Sequence, residues 1–137
     1  MSAKLPVIEN EKLTELRNLD PTLVVFSHLV EIFNSECRNR LPEMEKFCSS
    51  EDFESLGKVT HRFRSTAYNL GARSSAELTQ QIDDVMAKTV INKTEVQKLI
   101  VLLNNECIMA LKILKASLKA DEDQLALSSF DQFKKIS

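Results

Sequence analysis

The sequence predicts an all-α protein, an antiparallel up-down-up-down four-helix bundle with a short N-terminal helix before it and a C-terminal tail after it. Three observations lead there. Only two of the 137 residues are Gly and one is Tyr, with no Trp, a poor supply for tight hairpins and half-buried strands. Apolar residues recur every three or four positions over long stretches, the stripe of a helix that buries one side. The connections between those stretches are a few residues long, which favours antiparallel neighbours. A chain of 137 residues, 43% of them apolar, holds one domain with a real core and is too short for two.

Residues 1–8 contain Pro6 and no helical period, so they read as a flexible arm; residues 9–118 read as the bundle and 119–137 as a polar tail. Glu9 to Asn18 forms a short helix with Leu13 and Leu16 on one face. Asp20-Pro21 then reads as an N-cap followed by Pro at the first helical position, where its missing N–H costs nothing. The helix it opens carries Leu23, Phe26, Val30, Phe33, Cys37, Leu41 and Met44 as a stripe and runs to about Phe47, with Pro42 predicting a kink near residues 38–42.

Ser49-Ser50-Glu51-Asp52 supplies hydroxyl caps and carboxylates for the next start, which predicts a helix over about 51–70. Its seam is Phe53, Leu56, Val59 or Thr60, Phe63, Ala67 and Leu70, and Gly71 ends it with a left-handed residue. Ser74-Ser75-Ala76-Glu77 fits a capping box ahead of Leu78, Ile82, Val85 and Met86, a helix to about Lys88. Asn92 and Glu95 open the last long helix, with Val96, Leu99, Leu103, Cys107, Ala110 and Leu114 inside, fading after Leu118. Beyond it, Leu125, Phe130 and Phe133 lie between acids at 121–123 and Lys134-Lys135, which suits a short terminal helix.

Composition excludes several functions. A net charge of −2 argues against a general nucleic-acid binder. The start has no apolar signal core, and no stretch reaches the ~18 apolar residues of a membrane span, so the expectation is a soluble protein. Cys37, Cys48 and Cys107 are too sparse for a zinc knuckle or a disulfide framework, which places the chain in a reducing cytoplasm with the thiols acting as small hydrophobes. Di-metal bundles need Glu three residues before His, but Val25 precedes His28 and Lys58 precedes His61 at that spacing, so no metal site is expected. No Gly-rich phosphate loop and no Gly-flanked nucleophile turn occur either.

His61 stands out. The seam of its helix faces inward, while Gly57, His61, Arg64, Ser65 and Tyr68 share another face at spacings of three and four. Residues 55–76 hold Lys58, Arg62, Arg64 and Arg73 without one Asp or Glu, whereas Glu43, Glu45, Glu51, Asp52 and Glu54 lie just upstream. Such segregation suits the handling of an anion. A neutral imidazole is a competent nucleophile near pH 7, its reference pKa being ~6.5, and its phosphorylated form passes the group on readily. A lone surface histidine is more often inert, and His28, off the main stripe beside Val24, Val25 and Leu29, reads as a partly exposed packing residue and not as a ligand.

The stretch His61-Arg62-Phe63-Arg64-Ser65-Thr66-Ala67-Tyr68-Asn69-Leu70-Gly71-Ala72 resembles the signature of histidine phosphotransfer (HPt) domains, His-x-Leu-Lys-Gly-Ser-x-x-x-Leu-Gly-Ala. The resemblance extends over about residues 9–118, through Glu31-Ile32-Phe33, Glu51-Asp52-Phe53, Leu78 and Ile82-Asp83. It implies a four-helix bundle that presents one phosphorylated histidine, here His61, and shuttles phosphoryl groups between receiver-domain aspartates. Arg64 stands where the family has Lys, keeping the charge with a bidentate fork, and would offset phosphoryl charge with Lys58 and Arg62 in support. Ser65 stands where the family has Gly and adds a hydroxyl to a docking face formed with Gly57 and Tyr68. Asp83 sits where the family often has Glu or Gln, placed to orient the ring.

The implied protein is a stand-alone, monomeric, cytoplasmic phosphocarrier without kinase activity or cofactor, whose partners are response-regulator receiver domains or a hybrid histidine kinase. Magnesium belongs to the receiver, which needs it to offset its own carboxylates. Nucleic acid and membrane are not expected partners. A different class remains open, a non-phosphorylated helical adaptor docking a receiver or kinase, which would tolerate His61→Gln. So does the phosphoacceptor module of a chemotaxis-type kinase.

Overall fold

The computed structural model describes residues 5–136, with side chains through residue 127. Those residues form five helices and no strand: α1 (Asn10–Leu19), α2 (Val24–Ser49), α3 (Phe53–Asn69), α4 (Arg73–Met86) and α5 (Lys93–Ile136). The four longer helices close a ring, α2 packing on α3, α3 on α4, α4 on α5 and α5 on α2. The apolar stripes meet at the centre of that ring. Phe26, Phe33, Met44, Leu56, Phe63, Leu70, Ile82, Ile100, Leu103 and Leu114 are fully buried, and the Phe33 and Phe63 rings lie 5.9 Å apart across the α2–α3 seam. Burying one such side chain stabilises the fold by about 1.5–3 kcal/mol, so the stripes supply most of the driving force.

Position 60, not 59, is the buried member of the α3 seam, and the Thr60 hydroxyl donates to the Leu56 carbonyl at 2.7 Å. Helix α2 opens at Val24, later than the Asp20-Pro21 cap predicts. Leu23 takes a left-handed φ of 64° and buries its side chain, while the Asp20 carboxylate reaches forward to accept the N–H groups of Val25 at 2.6 Å and Phe26 at 3.3 Å. The N-cap position is therefore Leu23 and not Asp20, and Pro21 lies in the turn before the helix and not at its first position; Asp20 serves the helix start only through its side chain. Helix α2 continues unbroken through Pro42, because Arg38 and Pro42 are both exposed and the carbonyl that Pro leaves without a donor lies on the solvent side.

Three other expectations are corrected. The capping box at Ser74–Glu77 does not form. Helix α4 starts at Arg73 without a side-chain cap, the Ser74 N–H donates to the Pro6 carbonyl at 3.0 Å, and the Ser74 hydroxyl donates to Glu106 on α5 at 2.8 Å. The supposedly flexible arm is held from Pro6 onward: the Pro6 carbonyl accepts that Ser74 N–H, Ile8 is buried, and the Glu9 N–H donates to the Gly71 carbonyl at 2.8 Å. Its residues 1–4 lie outside the described residues.

Finally, α5 does not fade after Leu118 but runs to Ile136 as one helix of 44 residues. No Gly or Pro follows Gly71, so nothing in the backbone stops it. Arg17 ties its extension to α1, donating to Ser117 at 2.5 Å and Asp121 at 2.6 Å. The side chains of Phe130, Phe133, Lys134 and Lys135 lie outside the described residues.

Candidate functional site

Helix α3 positions the candidate residues. Asp52 caps it, its carboxylate accepting the Ser55 N–H at 3.2 Å, and Leu56, Thr60, Phe63 and Ala67 anchor its inner side. With that rotation fixed, His61 projects on the opposite side and is exposed. Lys58, Ser65 and Tyr68 are exposed around it, and Gly57 is half-buried against α4, where an added Cβ would meet Met86 at 4.0 Å. One imidazole therefore stands on an open helix surface, flanked by small and charged residues.

The cations around it are not free. In sequence they form a run without acids, but in three dimensions every one has a carboxylate from outside the run. Lys58 pairs with Glu54 at 3.6 Å, Arg62 with Glu36 of α2 at 3.6 Å, Arg64 with Asp83 of α4, and Arg73 with Glu9 at 3.2 Å. The pairs differ in strength. Lys58 and Arg62 have side chains 76% and 67% exposed, so water screens them and each pair is worth about 0–1 kcal/mol. Their ammonium and guanidinium groups can leave for another anion at little cost.

Arg64 is held by more. Its Nε donates to the Thr79 hydroxyl at 2.9 Å, and its Nη2 donates to the Thr79 carbonyl at 3.1 Å and to the Asp83 carboxylate. Thr79 is itself buried, its hydroxyl donating to the Ala76 carbonyl at 2.5 Å. Asp83, placed by the sequence to orient the imidazole, is thus committed to Arg64 instead, because a guanidinium on the facing helix offers a charged donor. Tyr68 has a partner as well, with the Arg73 guanidinium 5.6 Å from its ring centre.

Sequence reasoning missed Thr79 and Glu36. Thr79 precedes Asp83 by one helical turn, and a polar residue inside the α4 seam was the available signal. Glu36 carried none, since its role depends on where α2 lies; it also accepts from Arg40 at 3.1 Å. Among the described residues, no group of His, Cys, Asp and Glu could hold a metal ion, and no helix is long and apolar enough to cross a membrane. All three thiols are buried. The Cys37 thiol is pushed far up by its hydrogen bond with Cys107 and then by burial, and burial also raises Cys48.

Both imidazoles of this helical bundle reach solvent, His28 on α2 and His61 on α3, and only His61 lies among the cations described above. Residues 28–113, more than half of the chain, match the family model of the Hpt domain, and the protein belongs to that family. Hpt domains carry phosphoryl groups on a histidine in phosphorelays, have no kinase activity of their own, and interact with receiver domains and kinases. No curated protein and no solved structure matches the chain.

Proposed function

We propose that this protein is a stand-alone histidine phosphotransfer protein, an antiparallel up-down-up-down bundle over residues 9–118 that relays a phosphoryl group between receiver-domain aspartates through His61. The observation that carries the reading is the exposure of His61 on α3, inside the segment matching the Hpt domain and opposite the buried seam. A ring nitrogen attacks the phosphorus of the receiver's aspartyl phosphate; the P–O bond breaks, the carboxylate departs, and the ring gives up its N–H proton as the N–P bond forms. A second receiver's aspartate then reverses these events. Magnesium on the receiver offsets the charge of that protein's own carboxylates.

Gly57, Ser65 and Tyr68 form the docking face, and Lys58, Arg62 and Arg64 offset the phosphoryl oxygens. The chain acts as a monomer in the cytoplasm. The test is incubation with a phosphorylated receiver and Mg²⁺. Wild-type protein takes acid-labile label and His61→Ala takes none; label retained on His61→Ala, or absent from wild type with every receiver encoded in the same genome, removes the reading.

The adaptor reading draws on a specific observation, the pairing of every cation around His61 with a carboxylate. Such a face suits docking without phosphoryl chemistry. His61→Gln separates the two readings: a carrier loses its output, whereas an adaptor keeps it.

A further inference from the structure

The Arg64–Asp83 contact bears on what happens to a phosphoryl group once it is on His61, and the inference rests on the phosphocarrier reading above. We propose that Asp83 is a positioning residue that shortens the life of the phosphohistidine by holding the Arg64 guanidinium on α4. Arg64 lies three residues after His61, the spacing at which side chains on one helix meet. Lys58, three residues before His61, has the same spacing, but Arg64 is the one of the two that is held by a neighbouring helix. Its Nε and Nη2 are spent on Thr79 and Asp83, leaving Nη1 without a protein partner among the described residues.

Charge makes the tether matter. The Arg64 and Asp83 side chains are only 21% and 27% exposed, so neither is well screened and the pair presents nearly zero net charge to the site. A phosphoryl group that carries two negative charges must either draw Arg64 away from Asp83 or share it with a carboxylate of its own sign. Both choices reduce what the guanidinium contributes. Lys58 and Arg62, loosely paired and exposed, are then the cations that respond without such competition.

Loss of the group to solvent is a hydrolysis. Water attacks phosphorus, the N–P bond breaks, the imidazole recovers a proton from the water, and inorganic phosphate is released. A tethered Arg64 leaves the phosphohistidine less stabilised against this and against transfer to a receiver. The carrier is thereby a shallow store that passes its phosphoryl group on.

The experiment charges full-length protein with phosphoramidate, a small donor that needs no partner, removes it, and follows the half-life of the phosphohistidine. Asp83→Asn keeps the shape and removes the charge; the half-life should lengthen roughly threefold to tenfold, the scale expected for releasing one partly screened ion pair. Asp83→Glu keeps the charge and should stay within about twofold of wild type. In an Arg64→Ala background, Asp83→Asn should change the half-life by less than about twofold, because the effect runs through the guanidinium. Thermal unfolding of each variant shows whether the α3–α4 packing survives, and Asp83→Ser serves in place of Asp83→Asn if the latter does not fold. An unchanged half-life in the charge-removing variant, or the same gain with and without Arg64, overturns the proposal while leaving the phosphocarrier reading intact. Wild-type protein that takes no label on His61 overturns both.

Discussion

Glu51 and Gly71 occupy the same position in the same kind of helix ending, with φ angles of 59° and 75°. After α2 the Asp52 N–H returns to the Phe47 carbonyl at 2.9 Å and the Glu51 N–H to Cys48 at 3.1 Å. After α3 the Ala72 N–H returns to Ala67 at 2.9 Å and the Gly71 N–H to Tyr68 at 3.0 Å. Each is the paired closure that requires a left-handed residue just past the helix. Glycine takes that conformation without penalty, whereas a residue with a Cβ gives up about 1–2 kcal/mol.

The two sites therefore predict opposite outcomes. Glu51→Gly should raise stability by about 0.5–1 kcal/mol, the relief of strain being partly offset by the freedom glycine adds to the unfolded chain. Gly71→Ala should lower it by about 1–2 kcal/mol or more, since its new Cβ would also lie 2.8 Å from the Lys12 Cβ. Urea unfolding of the two variants checks the pair. Equal signs would show that the turns are not equivalent.

Arg17 and Asp121 predict how α1 is attached. Their contact at 2.6 Å joins the first helix to the extension of the last, with side chains 38% and 23% exposed. Arg17→Ala should lower global stability by only about 0.5–1 kcal/mol, the scale of a partly exposed pair with one further hydrogen bond. Locally the effect should be larger. Amide exchange should speed up across α1 while α3 stays protected, because Leu13 is the only fully covered apolar residue that α1 contributes. Uniform acceleration through α3 would show that α1 supports the core.

Acid should unfold the protein partly through two caps. The Thr22 hydroxyl, followed by the Val25 and Phe26 N–H groups, holds the Asp20 carboxyl below the usual aspartate range; the Ser55 hydroxyl and N–H do the same for Asp52. The native state then binds these protons at lower pH than the unfolded chain does. Their stabilisation is complete above the unfolded value of about 4 and disappears as pH falls through the lower native values. The urea midpoint should therefore be insensitive to both groups above about pH 5 and should drop below about pH 4. Asp52→Asn, which keeps an acceptor for the cap and cannot titrate, should have a shallower acid limb; a slope equal to wild type would count against the mechanism.

Helix identity was legible because burial imposes a three-to-four period that survives in any context, as Phe26, Val30, Phe33 and Cys37 show. Helix ends were less so. Ser74 and Ser75 look like a cap only until α5 is present to take the Ser74 hydroxyl and, through Cys107, the Ser75 hydroxyl at 3.8 Å. The left-handed Glu51 has no sequence mark, because the packing of Cys48 and Phe53 on either side imposes the turn. At the site, the outward position of His61 followed from its own helix. The pairing of Arg62 with Glu36 and of Arg64 with Asp83 did not, since those carboxylates come from helices whose rotation no local spacing encodes. Only Glu54 and Lys58, four apart on one helix, could have been paired in advance.

Gly57 separates the requirements of the fold from those of the docking face. It sits inside α3, one turn before His61, where glycine costs about 0.5–1 kcal/mol relative to Ala. The structure has room for the larger residue, the nearest atom to an added Cβ being the Met86 methyl at 4.0 Å, an ordinary contact. Gly57→Ala should therefore stabilise the protein by about that amount. If Gly57 lies in the docking face proposed above, the added methyl should instead hinder a partner that approaches α3 closely. The same variant should accept label from phosphoramidate at the wild-type rate and from a phosphorylated receiver more slowly, since only the second reaction brings another protein against α3. A variant that is more stable and equally fast with the receiver would place the docking surface elsewhere on the bundle.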